Sequence, residues 1–378
     1  MSATGAGDHI WYDVDAPVVS IIIVNFKNIA ELAGCLASVW THTAGHKYEI
    51  VVVDNGSGAD EVDGITAMGE RLRLISLKEN RFFGDGNNIG VEHAKGRYVV
   101  FLNNDCQVTP DWLQPLIATL EQQPLCGGVG AKLLYPDGRL QEAGAFMGSN
   151  GWALHRHYPP FDVELADRTH VADYCSAACF VMTRKLFVAL GGFDPIFSPA
   201  YFEDADLAFR IADVGLFIYC CPQSIVYHHQ NATTRVFWTE GQLQRLLHRN
   251  RDLFFDRWQH CLDARAKGSV LPQREFDARA SFAMIEAGPA EATLEPAVLK
   301  TARNVAQLER HVGYLSAVIS SCAGGLDVLR AERDQHTASA VLDERIVKID
   351  NQMQRELEAW RAAREELRLI TSPKEVCS

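Results

Sequence analysis

Three groups of residues in this chain have the types and spacing to do chemistry. Asn103, Asn104 and Asp105 close the apolar run RYVVFLNND, and a hard cation such as Mg2+ or Mn2+ prefers the carboxylate oxygen that Asp105 supplies. Glu203, Asp204 and Asp206 fall together in YFEDADLAFR, where the pattern opens a helix. Acids in a first turn complement the helix dipole, and a carboxylate there can also take a proton from a reacting hydroxyl. His228 and His229 end another apolar run in VYHHQNATT, and an imidazole nitrogen can complete a cation site begun by a carboxylate. Each group also has an ordinary structural reading, as a polar strand end, a capped helix or a packed histidine.

The elements that must position these groups alternate between strand and helix. Residues 18–26, VVSIIIVNF, are a β-branched run suited to a strand buried on both faces of a parallel sheet. Helical spacing follows over 30–40 through Leu32, Cys35, Leu36 and Val39, and YEIVVVDNGS at 48–57 is a second buried strand. A weaker strand at 72–77 leads to a glycine-rich turn at 84–90, a helix to about residue 95 and a fourth strand at 97–105. Pro110, Asp111 and Trp112 open another helix, and 139–173, rich in Gly, His and aromatic residues, is an irregular stretch suited to a substrate loop. A strand at 175–183, helices at 184–190 and 203–214, and a strand at 216–228 complete the pattern. It predicts a doubly wound α/β sheet whose ligand site lies beyond the carboxyl ends of the strands. Asn25, Asp54 and Asp105 close three of those strands and are expected on one rim.

Composition narrows the partners. The chain has 378 residues, enough for one large core plus an appendage, and a formal net charge of −12, which argues against a nucleic-acid partner. Residues 297–378 carry equal numbers of basic and acidic residues, so the whole excess belongs to the first 296. The ten cysteines lack paired zinc-ligand spacing and read as reduced structural thiols. The start, MSATGAGDHIWYDVDAP, lacks a basic stretch followed by an apolar run, and no stretch approaches the roughly 20 apolar residues of a membrane span. A cytoplasmic protein is the expectation.

In order, VVSIIIVNF, YEIVVVDNGS, ENRFFGDGNNIG, GRYVVFLNND, DYCSAACFVMTRKLFVALGGFDPIF, YFEDADLAFR and VYHHQNATT resemble the inverting family-2 glycosyltransferases of the GT-A fold. The likeness spans about 18–235 and is strongest to the rhamnosyltransferase-like, O-antigen and cell-wall branch. It implies transfer of a sugar from a nucleotide-diphosphate donor to a glycan or lipid-linked acceptor. It also implies a mixed sheet, a divalent cation (Mg2+ or Mn2+), and work at the inner face of the membrane. An acidic domain that binds an anionic diphosphate needs such a cation as mediator.

Carried onto this sequence, the resemblance makes Asp54 the reader of the nucleotide base, with Asn25 and Asn104 on the donor side. Gly84, Gly86, Asn87 and Asn88 match the turn that sets a helix start beside the donor, although Phe82 and Asp85 stand where the family has smaller residues. Asp105 and His228 would hold the cation, Asp204 would be the base that deprotonates the acceptor hydroxyl, and Glu203 would help position that acceptor. Asp206 is expected to orient its helix. Ser176, Ala177 and Ala178 would lie under the acceptor, Thr233 and Thr234 on a segment closing over the donor, and Trp152, His155, His157 and Tyr158 could stack on a sugar ring. A sugar nucleotidylyltransferase would need a glycine-rich basic loop where this chain has NFKNIAE, and a decayed scaffold would have lost its carboxylates.

These readings divide the chain into an N-terminal extension (1–17), a transferase domain (18–262), a linker (263–296) and a helical segment (297–378). In the last, Leu342, Ile346, Ile349, Met353, Trp360, Ala363, Leu367 and Ile370 follow a heptad broken by Glu356. Such a stripe must be buried, in a homo-oligomer, on a pathway enzyme or on the chain's own catalytic domain. Residues 297–378 hold no candidate catalytic group, so a truncated chain is expected to fold and remain active.

Overall fold

The computed structural model describes residues 7–10, 17–69, 71–154, 167–229, 238–266, 296–335 and 340–371. A short strand β1 (Gly7–Ile10) precedes β2 (Val19–Asn25), α1 (Ile29–His42), β3 (Tyr48–Asp54), α2 (Ala59–Ala67), β4 (Arg73–Ser76), α3 (Phe82–Glu92) and β5 (Tyr98–Leu102). Then come β6 (Cys106–Val108), α4 (Leu113–Gln122), β7 (Cys126–Leu134), β8 (Leu140–Glu142), β9 (Phe146–Met147), β10 (Ala153–Leu154), β11 (His170–Ala172) and β12 (Cys179–Thr183). The remaining elements are α5 (Arg184–Ala189), α6 (Glu203–Asp213), β13 (Phe217–His228), α7 (Glu240–Ala266), α8 (Pro296–Gln335) and α9 (Ala340–Thr371).

The main sheet has the order β1-β4-β3-β2-β5-β12-β7-β13-β11, with β6 also on β13 and β8 on β7. Strands β4, β3, β2 and β5 run parallel, as their apolar, doubly buried sequences require. β12 is antiparallel between β5 and β7, and β13 is parallel to β7, which makes the sheet mixed. Register sets the site. Asn25 pairs with Asp54 at the ends of β2 and β3, and Cys179 pairs with Leu102, which sets Ala178 beside Asn103. The antiparallel pairing of β6 with β13 puts His228 opposite Cys106 and so against Asp105.

Several expectations need correction. The glycines at 84–90 lie inside α3 rather than in a turn before it, because they let the helix approach the sheet. A Cβ at Gly90 would collide with Ile22, and one at Gly84 or Gly86 would crowd Phe193 or Val24. Residues 7–10 extend the sheet by pairing antiparallel with β4. The stretch 139–173 contains four short strands. Strand β7, at the heart of the sheet, had no place in the sequence reading. Its Gly127, Gly128 and Gly130 interrupt the β-branched signature because Ile211, the Phe180 ring and Cys175 occupy the space a side chain would need.

The C-terminal helices pack on each other, and α8 lies across β9, β10 and β11. Val312, Leu315 and Ile319 of α8 and Trp360, Ala363 and Leu367 of α9 join the same buried cluster as Phe146, Ala172 and Cys220 of the sheet. The heptad stripe is therefore covered within this chain, although Ile370 remains 45% exposed. Among the described residues one helix segment, Lys300–Arg333, is long and apolar enough to cross a membrane by length and composition, which amends the expectation of none. In this fold 61% of its most apolar window is buried against protein.

A buried ion pair fastens the helices down. Arg310 Nη1 lies 3.2 Å from Asp173 Oδ1, and Asp173 Oδ2 accepts the Met147 N–H at 2.9 Å. Arg310→Met removes the charged partner of that carboxylate, and a loss of about 3 kcal/mol in urea denaturation is expected. Removing residues 296–371 uncovers the Phe146 side of the sheet, so the truncated chain is expected to melt lower than the full chain. An unchanged melting temperature would restore the view of a dispensable tail.

Candidate active site

A cavity of about 760 Å³ opens beyond the carboxyl ends of the strands and is lined by Asn103, Asn104, Asp105, Glu142, Glu203, Asp204 and His228, among others. Asp105 Oδ1 and His228 Nε2 stand 3.2 Å apart, both nearly buried. The Gln141 amide donates to the His228 carbonyl at 3.3 Å, which turns its Oε1 toward His228 Nδ1 at 2.7 Å. Nδ1 must then carry the ring proton, leaving the Nε2 lone pair facing the Asp105 carboxylate. Two acceptors so placed repel unless a positive charge lies between them, and a proton on Nε2 or a divalent cation would supply it. Asn103 Nδ2, 3.3 Å from Nε2, borders the same spot.

Asp105, Cys106 and His228 lie close enough together to hold a metal. Cys106 makes a poor third ligand. Its thiol donates to the Ala178 carbonyl at 3.3 Å, and burial pushes its pKa well above the usual thiol value. The donor set is thus one carboxylate and one imidazole, the latter fixed from behind by Gln141.

The acids at the start of α6 separate by role. Tyr201 and Phe202, at φ 73° and 74°, turn the chain sharply into Glu203. Asp204 accepts the Ala205 N–H at 2.8 Å and the Ala177 N–H at 3.4 Å. Burial raises its pKa while those donors hold it down. Glu203 Oε2 is buried without a partner, and burial, then the Asp204 charge, pushes its carboxyl well above the usual range. Of the two, Glu203 is pushed up further, since two N–H donors oppose the rise at Asp204. Asp206 faces away and takes Arg257, Trp258 and Arg210 at 2.8, 2.9 and 2.7 Å, a structural knot.

The donor-side candidates are less concentrated. Asn104 Nδ2 donates to Asn25 Oδ1 at 2.8 Å, and Asn25 reaches Glu61 at 3.2 Å. Asp54 accepts the Ser57 N–H at 3.3 Å, and its other oxygen is buried without a partner. Burial raises its pKa. Asn25, Asp54, Gly84, Asn87 and Asn88 do not line the cavity, whereas Asn55 does and pins Arg81 and Phe82 through both ends of its amide. Asn87 bonds the Phe83 carbonyl and Asn88 both backbone groups of Phe193. Trp152 lines the cavity, with its ring edge-on to Phe202 and beneath the Arg251 guanidinium. Ser176, Ala177 and Ala178 also line it. His155, His157, Tyr158, Thr233 and Thr234 lie outside the described residues.

Glu142 escaped the sequence reading, because QEAG carries no motif that marks its Glu. It lines the cavity beside the other acids, and its Oε1 accepts the Ser176 N–H at 2.7 Å. Burial pushes its pKa up to about 7, with the Ser176 N–H opposing and the Asp204 charge adding to the rise.

Residues 20–191 match the family model described as glycosyl transferase family 2. Over 234 residues, 59% of the chain, it is 35% identical to the uncharacterized protein y4gI of Sinorhizobium fredii. Over 229 residues, 58% of the chain, it is 33% identical to the O-antigen biosynthesis protein RfbC of Myxococcus xanthus. The chain spans only 26% and 18% of the length of these two relatives. The crystal structure of GalNAc-T7 with UDP, GalNAc and Mn2+ superposes with a TM-score of 0.52 at 19% identity, over 72% of this chain and 54% of that one. The fold is thus that of the GT-A glycosyltransferases, a mixed α/β sheet with a helical C-terminal region.

The raised pKa of Glu142 gives a stability test. A carboxyl whose folded pKa exceeds its unfolded one binds its proton more tightly when folded. Its contribution is complete below its ordinary 4.5 and is lost as the pH rises to about 7. Glu142→Gln stays neutral and is expected to abolish about 2 kcal/mol of the stability decline across that range, allowing for partial solvent access. Urea titrations at a series of pH values check this. Equal pH slopes for the two proteins would count against a buried, proton-holding Glu142.

Proposed function

We propose that this chain is a metal-dependent inverting glycosyltransferase. It moves a sugar from a nucleotide-diphosphate donor to a hydroxyl of a glycan or lipid-linked acceptor in surface polysaccharide synthesis. The observation that carries this reading is one cavity holding both the Asp105–His228 pair and the Asp204 carboxyl with its two N–H donors. A bound Mg2+ or Mn2+ would neutralise charge developing on the diphosphate as the sugar leaves. Asp105 and His228 would hold that cation, and Gln141 would keep Nε2 aimed at it. The Mn2+ and UDP named with the GalNAc-T7 structure accord with this assignment.

Asp204 takes the proton of the attacking hydroxyl. Its N–H donors oppose the rise that burial causes, and in a single displacement the hydroxyl strikes the anomeric carbon from the face opposite the leaving diphosphate. Glu203, holding its proton, can donate a hydrogen bond to the acceptor. Asp54, with an unpartnered buried oxygen at the end of β3, would read the nucleotide base, with Asn25 and Asn104 beside it. Gly84, Asn87 and Asn88 would serve the donor indirectly, by seating α3 against the sheet. With a lipid-linked acceptor, the reaction would run at the cytoplasmic face of the membrane, the enzyme lying against it.

The test is a panel of nucleotide sugars assayed for transfer and for thermal protection, with and without Mn2+. Excess chelator is expected to abolish transfer and added Mg2+ or Mn2+ to restore it; full activity under chelation would remove the cation from the reading. Asp204→Asn keeps the shape and loses the base, and transfer is expected to fall about 10² to 10⁴-fold while donor binding persists. Normal turnover in that variant would move the role to another acid.

A further inference from the structure

The two residues before Glu203 adopt a conformation that side chains other than glycine disfavour. Tyr201 and Phe202 both have φ near +70°, and neither is Asn or Asp, the types that tolerate it best. Such a pair persists only where its surroundings over-determine it. Much of the surroundings here comes from α7, which lies beyond the stretch matched by the family model.

Asn250 of α7 is fully buried, and its Nδ2 points at the carbonyls of Phe197, Ala200 and Tyr201 at 2.7, 2.9 and 2.9 Å. Its neighbour Arg249 donates to the carbonyls of Ser198 and Ile196 at 2.7 and 2.9 Å, and to Asn250 Oδ1 at 3.1 Å. One helix turn thus takes five carbonyls of the 196–201 loop. A helix turn or two further on, Arg257 ties Asp194 at one end of the loop to Asp206 in α6 at the other, at 2.9 and 2.8 Å. The clamped loop is also cavity wall, since Pro199, Ala200, Tyr201 and Phe202 line it next to Glu203 and Asp204.

We propose that Asn250, supported by Arg249, is a positioning residue for catalysis: it holds Tyr201 and Phe202 in the left-handed region and so fixes where Glu203 and Asp204 meet the acceptor. The catalytic consequence rests on the transferase reading above, whereas the latch itself does not. Asn250 touches no group on the donor side of the cavity. Losing it therefore disturbs base placement and acceptor binding and leaves nucleotide binding alone.

The test compares full-length wild type, Asn250→Asp and Arg249→Met. Asn250→Asp keeps the shape but turns the donor toward those carbonyls into an acceptor. Hydrogen exchange is expected to quicken selectively in residues 196–206 of Asn250→Asp, and more weakly in Arg249→Met, with the strands of the sheet unchanged. In variants that remain folded at the assay temperature, kcat is expected to fall by about tenfold or more and the acceptor KM to rise, as a displaced reacting group implies. The Kd for nucleoside diphosphate with Mn2+ should stay within about twofold, since a merely structural loss would weaken both substrates together. If Asn250→Asp does not fold, Arg249→Met decides by the same readouts. Unchanged exchange in the loop overturns the latch, and unchanged kcat and acceptor KM overturn its catalytic role. A wild type with no transfer to any acceptor would instead defeat the transferase reading, and the exchange result would still decide the latch.

Discussion

A buried carboxylate and an imidazole nitrogen face each other across 3.2 Å at the cavity wall, and much of the sheet's layout serves to bring them there. Asp105 follows β5, near the middle of the sheet, and His228 ends β13, three strands further along. They meet because the chain doubles back after Asp105 into β6, which pairs antiparallel with the end of β13. The bond from the His229 N–H to the Asp105 carbonyl, 3.0 Å, closes the same junction from the backbone. Gln141 at β8 then reaches Nδ1 from behind at 2.7 Å, so three separate elements share the task of aiming Nε2 at the cavity.

The acids across the cavity follow a different rule. Glu142, Glu203 and Asp204 are all driven toward protonation by burial, and they differ only in how many N–H groups reach them. Asp204 has two, Glu142 has one, and the buried Oε2 of Glu203 has none. Those donors oppose the effect of burial most at Asp204 and least at the Glu203 Oε2. The strained entry to α6 serves the same end, because it sets the first turn where Asp204 reaches the Ala177 N–H at the start of β12.

How much of this was legible in the sequence depends on the signal each element carries. Strands β2, β3, β5 and β13 were readable because strands buried on both faces must be continuous apolar runs, and their polar closing residues mark the rim. The α6 acids and His228 stood out through their order as well as their type. Strand β7 was not readable, since its glycines answer to Phe180, Cys175 and Ile211, which are remote in sequence. The same holds for the glycines of α3, which pack against Ile22, Val24 and Phe193 and so looked like a turn. Glu142 and Gln141 occupy a stretch without periodicity, and only the pairing of β8 with β7 brings Glu142 to the cavity and Gln141 to His228. The heptad of α9 announced burial correctly but could not name its partner, because a stripe specifies a surface rather than an address.

The match to the family model ends at residue 191, yet Glu203, Asp204 and His228 lie beyond it. The sheet up to β12 supplies Asp105 and the floor of the cavity, so this portion alone has one half of the charge pair and none of the α6 acids. Strand β13 brings the other half, and α7 holds the loop that aims the acids. Helix α8 in turn braces β9, through Gly313 beneath the Phe146 ring and Arg310 on Asp173, and β9 presents Met147 to the cavity. Each later element adds a constraint that the earlier ones cannot satisfy within themselves: an unshared lone pair, a left-handed turn, a buried carboxylate. The site is therefore assembled from both sides of residue 191, and its geometry depends on tertiary contacts that no local stretch of the chain contains.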